Sequence, residues 1–182
     1  LSVYGSTTLS SAITMSGSAS WSYAGRGSTQ VIISAGRTWT QPLIVSNIGG
    51  TVQLGDACTR SGGANLNYGT LDFNNYALTC TTFSSSNTTT RTLAFGASGS
   101  ITVTGTGTVF NTATTTGLTI SGTNPIVNVT NATATATTVN TGIAVGISNL
   151  LSCNFTAGTY LLTLTSGSFF NSLNFTGFAG TL

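Results

Sequence analysis

From Val31 onward the chain is cut into short strand-like runs, most of which alternate apolar with Thr, Ser or Asn, separated by clusters of Gly, Ser, Asn and Asp. Val31-Ile32-Ile33, Leu43-Ile44-Val45, Leu71-Asp72-Phe73, Leu78 to Phe83, Ile101-Thr102-Val103, Leu118-Thr119-Ile120 and Ile126 to Val129 are of this kind. A period of two filled by β-branched residues suits a pleated surface buried on one side. The breaks include Gly49-Gly50, Ser61-Gly62-Gly63, Ser84 to Asn87 and Gly105 to Gly107. Such residues allow positive φ or bond their own backbone, and so end strands. No ten-residue segment keeps a helical period, and the chain is expected to be all-β.

The spacing narrows the architecture. Run centres near residues 93, 102, 110, 119 and 127 advance by about eight or nine residues, as in a sandwich, barrel or solenoid. Very short strands, small-residue loops and a supply of Thr, Ser and Asn for ladders about 4.8 Å apart favour a β-solenoid, or β-helix. With three faces, a turn would take about 25 residues and the chain roughly seven turns. An antiparallel β-sandwich or jelly roll is the alternative. At 182 residues the chain reads as a single β-rich domain over 1–182, with 1–40 as an N-terminal cap or assembly segment.

Composition then limits the chemistry. Only 3% of residues are charged, namely Arg26, Arg37, Arg60, Arg91, Asp56 and Asp72, with no lysine, glutamate or histidine, against about 25% in ordinary domains. General acid–base catalysis needs titratable groups within reach of a substrate. The sole carboxylate pair, Asp56 and Asp72, sits in turn-like contexts better suited to bonding local backbone than to cleaving a glycoside. No base stands ready to activate a serine or cysteine, and no enzyme activity or cofactor is expected. Four arginines scattered singly make no phosphate-neutralising patch, so nucleic acid is not an expected partner. No apolar run approaches the roughly 18 residues of a membrane-spanning helix. The chain begins at Leu1 without a methionine or a secretory leader, as a processed product or a segment of something longer would.

Cys58, Cys80 and Cys153 are odd in number and lack metal-type spacing. They read as small buried core residues, with a Cys58–Cys80 disulfide as the alternative. Asn-x-Ser/Thr acceptor patterns occur at Asn87, Asn128, Asn131, Asn154 and Asn174. Each reads first as strand or turn polarity and second as a glycosylation site. Trp21, Tyr23 and Trp39 could cover the end of an apolar core, or less readily stack on a sugar. Phe169, Phe170, Phe175 and Phe178 need cover from the chain's own core or from a neighbour. Trp21, Tyr23, Phe169, Phe170, Phe175 and Phe178 are thus candidate assembly contacts.

The segment Gly69-Thr70-Leu71-Asp72-Phe73-Asn74-Asn75-Tyr76-Ala77-Leu78-Thr79-Cys80 is followed by Arg91-Thr92-Leu93-Ala94-Phe95-Gly96 and Ile101-Thr102-Val103-Thr104-Gly105. Together with the closing Leu173-Asn174-Phe175-Thr176-Gly177-Phe178, it resembles repetitive β-solenoid-like segments of uncharacterised phage appendage and bacterial surface proteins from environmental sources. The resemblance spans about residues 40–182. It implies a fibre, appendage or surface-layer role without catalytic residues to carry over. The expectation is a structural subunit of an extracellular filament or viral fibre, located outside the cell, on its surface or in a virion, with copies of itself as partners. An adhesin or carbohydrate-binding module, with host or cell-surface glycans as partners, is the alternative.

Overall fold

A computed structural model describes residues 1–133, 135–142, 151–165 and 170–182. It is an all-β solenoid of about seven turns, with no helix among the described residues. The first strands are β1 (Ser2–Val3) and β2 (Thr7–Thr8), then β3 (Trp21–Tyr23), β4 (Thr29–Ile33) and β5 (Thr38–Trp39). Two turns follow with long strands, β6 (Leu43–Leu54) with β7 (Cys58–Arg60), and β8 (Ala64–Asp72) with β9 (Ala77–Cys80). The next are β10 (Phe83–Ser84), β11 (Arg91–Ala94) and β12 (Ser100–Val103), then β13 (Gly107–Asn111), β14 (Leu118–Ser121) and β15 (Ile126–Val129). The last are β16 (Ala136–Asn140), β17 (Ser152–Phe155), β18 (Leu161–Leu164) and β19 (Ser172–Asn174).

Every pairing between these strands is parallel, which excludes the sandwich and the jelly roll. Three faces result. The first runs β1-β3-β6-β8-β10-β13-β16-β18, the second β2-β4-β6-β8-β11-β14, and the third β5-β7-β9-β12-β15-β17-β19. The first two share β6 and β8, which bend where the register slips between Ser46 and Thr51. At that bend Gly69 has φ 76°, and a Cβ there would lie 1.9 Å from the Asn47 carbonyl oxygen. Only glycine fits the left-handed backbone and the close approach together.

Alternation sends one set of side chains inward, in columns that run up the stack. Val52, Leu71, Leu93 and Ile120 are in register on the second face. Leu78, Ile101, Val127 and Cys153 are in register on the third. Like stacks on like, with Phe73 on Phe95 at 4.6 Å between ring centroids and Phe83 on Phe110 at 5.4 Å, within the range where offset aromatic pairs attract. Turn length is uneven, from 19 residues between Ala64 and Phe83 to 30 between Gly107 and Thr137. Corners absorb the difference while the ladders stay aligned. Residues 1–40 are themselves coiled into the stack. β1 and β2 pair with β3 and β4, and the buried Gln30 donates from Nε2 to the carbonyls of Val3 and Gly5 at 2.9 and 3.2 Å.

Two of the four arginines are inside. Arg60 is buried, with its guanidinium carbon 4.3 Å from the Trp39 ring centroid and Nη1 donating to the Gln41 carbonyl at 3.2 Å. Arg91, also buried, sits in the corner between the first and second faces. Its Nη1 donates to the carbonyls of Thr89 and Thr116 at 2.8 Å, and Nη2 donates to those of Ser85, at 2.8 Å, and Thr114. The two loops it ties, 85–90 and 112–117, belong to successive turns.

Candidate functional site

The groups with chemical potential are largely consumed by the fold. Asp56 reaches back to the preceding turn, where Oδ1 and Oδ2 accept the backbone N–H of Ser34 and Ala35, both at 2.7 Å. It clamps the corner at which Ala35 (φ 50°) and Gly36 (φ 71°) are left-handed. Asp72 accepts the Asn74 N–H at 2.8 Å and the Gln53 side-chain amide at 2.7 Å. Among the described residues no group of three or more His, Cys, Asp or Glu side chains could hold a metal ion. No helix among them is long and apolar enough to cross a membrane.

All three cysteines are free and buried. The Cys58–Cys80 disulfide does not form, because the register sets Cys58 opposite Leu78 and Cys80 opposite Val103, two positions out of step. Burial pushes the thiol pKa values up, that of Cys80 to about 12, since desolvation disfavours the thiolate. These thiols are core side chains.

The aromatic residues near the start divide. Tyr23 and Trp39 are fully buried, which removes Tyr23 as an assembly contact and both as sugar platforms. Their positions alternate inward, Tyr23 over Val45 and Trp39 beside Arg60. Trp21 is partly buried and meets Trp39 edge-on at 4.9 Å. At the other end Phe170, Phe175 and Phe178 pack partly against the chain's own core. Phe175 stacks on Phe155 at 5.2 Å and Phe178 tilts on Tyr160 at 5.0 Å. Phe169 lies outside the described residues.

The acceptor patterns have a structural explanation. Asn87, Asn131 and Asn174 each accept, on Oδ1, both the N–H and the hydroxyl of the threonine two residues on. This local bonding turns the chain at a strand end. Asn131 is also buried and donates to the Gly105 carbonyl, so a glycan there would break the corner. Asn128 and Asn154 bond each other at 2.9 Å. They stand in an outward ladder on the third face that runs Thr38, Thr59, Thr79, Thr102, Asn128, Asn154 and Asn174. With the residue two further on, this face repeats Thr-x-Thr/Ser and then Asn-x-Thr at every turn.

Concavity is found elsewhere, at the corner where β6 and β8 bend. A cleft of about 380 Å³ spans three turns there, between Ile48, Thr51, Tyr68, Thr70, Thr90 and Thr92. A second hollow of about 260 Å³, lined by Asn67, Tyr68, Asn87 and Thr89, adjoins it. Tyr68 lines both and is 39% exposed. Sequence reasoning did not single it out. The available signal was Gly49-Gly50 recurring one turn later as Gly69, two bends stacked on each other.

No protein-family model, curated protein or solved structure matches the chain.

Proposed function

We propose that the chain is a structural subunit of an extracellular filament or a viral fibre or appendage, an uncharged rod that associates with copies of itself. The observation that carries this reading is where apolar surface remains. Among the described residues exposed large hydrophobic side chains stand at both ends of the stack, Leu1, Tyr4 and Ile13 at one and Leu161, Leu173 and Leu182 at the other, while Ile33, Ile48, Tyr68 and Tyr76 are exposed along its sides. Leu173 stands in the core column of Val127 and Cys153 yet is 39% exposed. Core thus emerges at the end surface.

Turns of the solenoid hold each other through backbone ladders and matching side-chain columns, with side-chain bonds such as those of Gln30, Asp56 and Arg91 added at particular corners. A turn of another copy can supply both, and two unlike ends meeting head to tail generate an open polymer. A net charge of +2 supplies little repulsion against this. A non-catalytic role is supported by the engagement of Asp56 and Asp72 in turn geometry.

Light scattering against concentration tests the proposal. The wild-type chain is expected to grow into assemblies that 1 M sodium chloride leaves intact, because there are almost no charge pairs to screen. The double variant Tyr4→Asp, Leu173→Asp alters exposed positions and is expected to stay single while keeping its melting temperature within a few degrees. A wild-type monomer at high micromolar concentration, dissolution by salt, or unchanged assembly of the variant would each contradict the reading.

A further inference from the structure

We propose that the cleft beside Tyr68 is a binding site for a neutral oligosaccharide. This goes beyond the structural reading and does not depend on polymerisation. The bends in β6 and β8 draw the backbone inward at Gly50 and Gly69, whose missing Cβ atoms would otherwise strike backbone oxygens at 2.5 and 1.9 Å. What remains outside is a cleft of about 380 Å³, within the range that holds small ligands. It crosses three turns, roughly 10 Å at about 4.8 Å per turn, which suits a short linear chain of sugar rings laid along the solenoid axis.

The lining has the two components a sugar needs. Tyr68 lines both the main cleft and the adjoining hollow of about 260 Å³. A half-exposed aromatic ring between two hollows gives C–H faces of a sugar a surface to pack on, with its own hydroxyl as a polar tip. Ile48, 56% exposed, adds apolar surface at the rim. Hydroxyls come in a row, because Thr51, Thr70 and Thr92 are paired in strict register on successive turns. Each can both donate and accept, and their repeat meets a ligand whose own hydroxyls repeat. Asn67, Asn87 and Thr89 line the adjoining hollow, with the Thr89 N–H and hydroxyl both bonded to Asn87 Oδ1.

Charge decides the class of sugar. Arg91 is the sole ionisable residue among those lining the main cleft other than Tyr68, and its guanidinium is buried on the carbonyls of Ser85, Thr89, Thr114 and Thr116. No cation is left to recognise a uronate or a sialate, and no carboxylate to bind an amino sugar in its charged form. The ligand is therefore a neutral glycan.

The test is titration of the full chain with cellotetraose, mannotetraose and chitotetraose, with tetragalacturonate as the acidic probe, followed by calorimetry and by amide chemical shifts. At least one neutral probe is expected to bind and to move the resonances of Tyr68, Thr70 and Thr92. Binding is expected to be unchanged in 1 M sodium chloride. Tyr68→Val, which keeps strand propensity but removes the ring, is expected to weaken it about tenfold or more. Thr70→Val, which removes only a hydroxyl, is expected to weaken it several-fold. Thr102→Val, on the third face, is expected to change nothing. Should Tyr68→Val fail to fold, Thr70→Val and the shift map on the wild-type chain still decide. No binding of any neutral probe at about 10 mM, binding that survives both substitutions in the cleft, shifts confined to another face, or binding of tetragalacturonate alone would overturn the proposal.

Discussion

Arg91→Ala is expected to cost about 4 kcal/mol or more, a large part of the stability of a domain this size. The side chain is 1% exposed and has no carboxylate partner. Its charge is met instead by the dipoles of the carbonyls of Ser85, Thr89, Thr114 and Thr116, and by the Ser85 hydroxyl, which accepts from Nε at 2.8 Å. Truncation leaves these acceptors without their donor, those of Ser85 buried and those of Thr89, Thr114 and Thr116 partly buried, and each orphaned buried acceptor costs about 1–3 kcal/mol. Arg91→Met restores the volume but not the donors and is expected to lose nearly as much. Arg91→Lys keeps the charge, but one ammonium with three donors cannot span two loops on successive turns. It is expected to recover only part of the loss. Urea denaturation of the three variants checks this. A cost below about 1 kcal/mol for Arg91→Ala, the size of one ordinary hydrogen bond, would mean that the guanidinium does not hold the corner.

The second large effect is loss of stability in alkali. The chain has no histidine, and so no side chain whose ordinary range falls between pH 5 and 8. Above that, the buried cysteines matter. Burial raises the thiol pKa values of Cys58, Cys80 and Cys153, that of Cys80 from 9.0 to about 12. The unfolded chain then releases its thiol protons near pH 9 while the folded chain keeps them. Stability is full below the unfolded pKa and is lost as pH rises toward the folded one. For Cys80 the window is about pH 9 to 12, worth about 4 kcal/mol across its width. Cys58 and Cys153 shift in the same direction, as do the hydroxyls of Tyr23 and Tyr160. Melting temperature is expected to be level from pH 6 to 8 and to fall steeply from about pH 9, less steeply in Cys80→Val. A level profile to pH 11, or a fall already between pH 6 and 8, would contradict the burial of these thiols.

The first effect rests on a feature that the sequence concealed, whereas the burial of the cysteines and the ladders were readable. Val52, Leu71, Leu93 and Ile120 each sit in a run alternating with Thr or another small polar residue, and that alternation carried through to a single inward column. The step of eight or nine residues anticipated three faces. Repeat identity stayed poor because turns vary from 19 to 30 residues, the difference being taken up at the corners while the ladders stay in register. Arg60 and Arg91 looked like surface charges because nothing in their neighbours along the chain announces a partner. Part of what holds them lies on other turns, Gln41 for Arg60 and the 112–117 loop for Arg91, which also bonds Ser85 and Thr89 in the loop before it. The Asn-x-Thr patterns carried two readings until geometry separated a strand-end motif at Asn87, Asn131 and Asn174 from a ladder at Asn128 and Asn154. The Tyr68 cleft was hidden because it is made by glycines one turn apart, whose proximity exists only after coiling.

Distances along the third-face ladder test the central claim, that these runs stack in parallel register turn upon turn. Nitroxide labels at Thr38→Cys and Asn174→Cys, exposed ladder positions, are separated by six ladder steps. Double electron–electron resonance is expected to place them about 29 Å apart, at about 4.8 Å per step. The pair Thr59→Cys and Asn174→Cys, one step closer, is expected at about 24 Å, with the buried native thiols unlabelled. Separations that fail to shrink by one strand spacing between the two pairs, or that fall far from these values, would contradict the stacked solenoid.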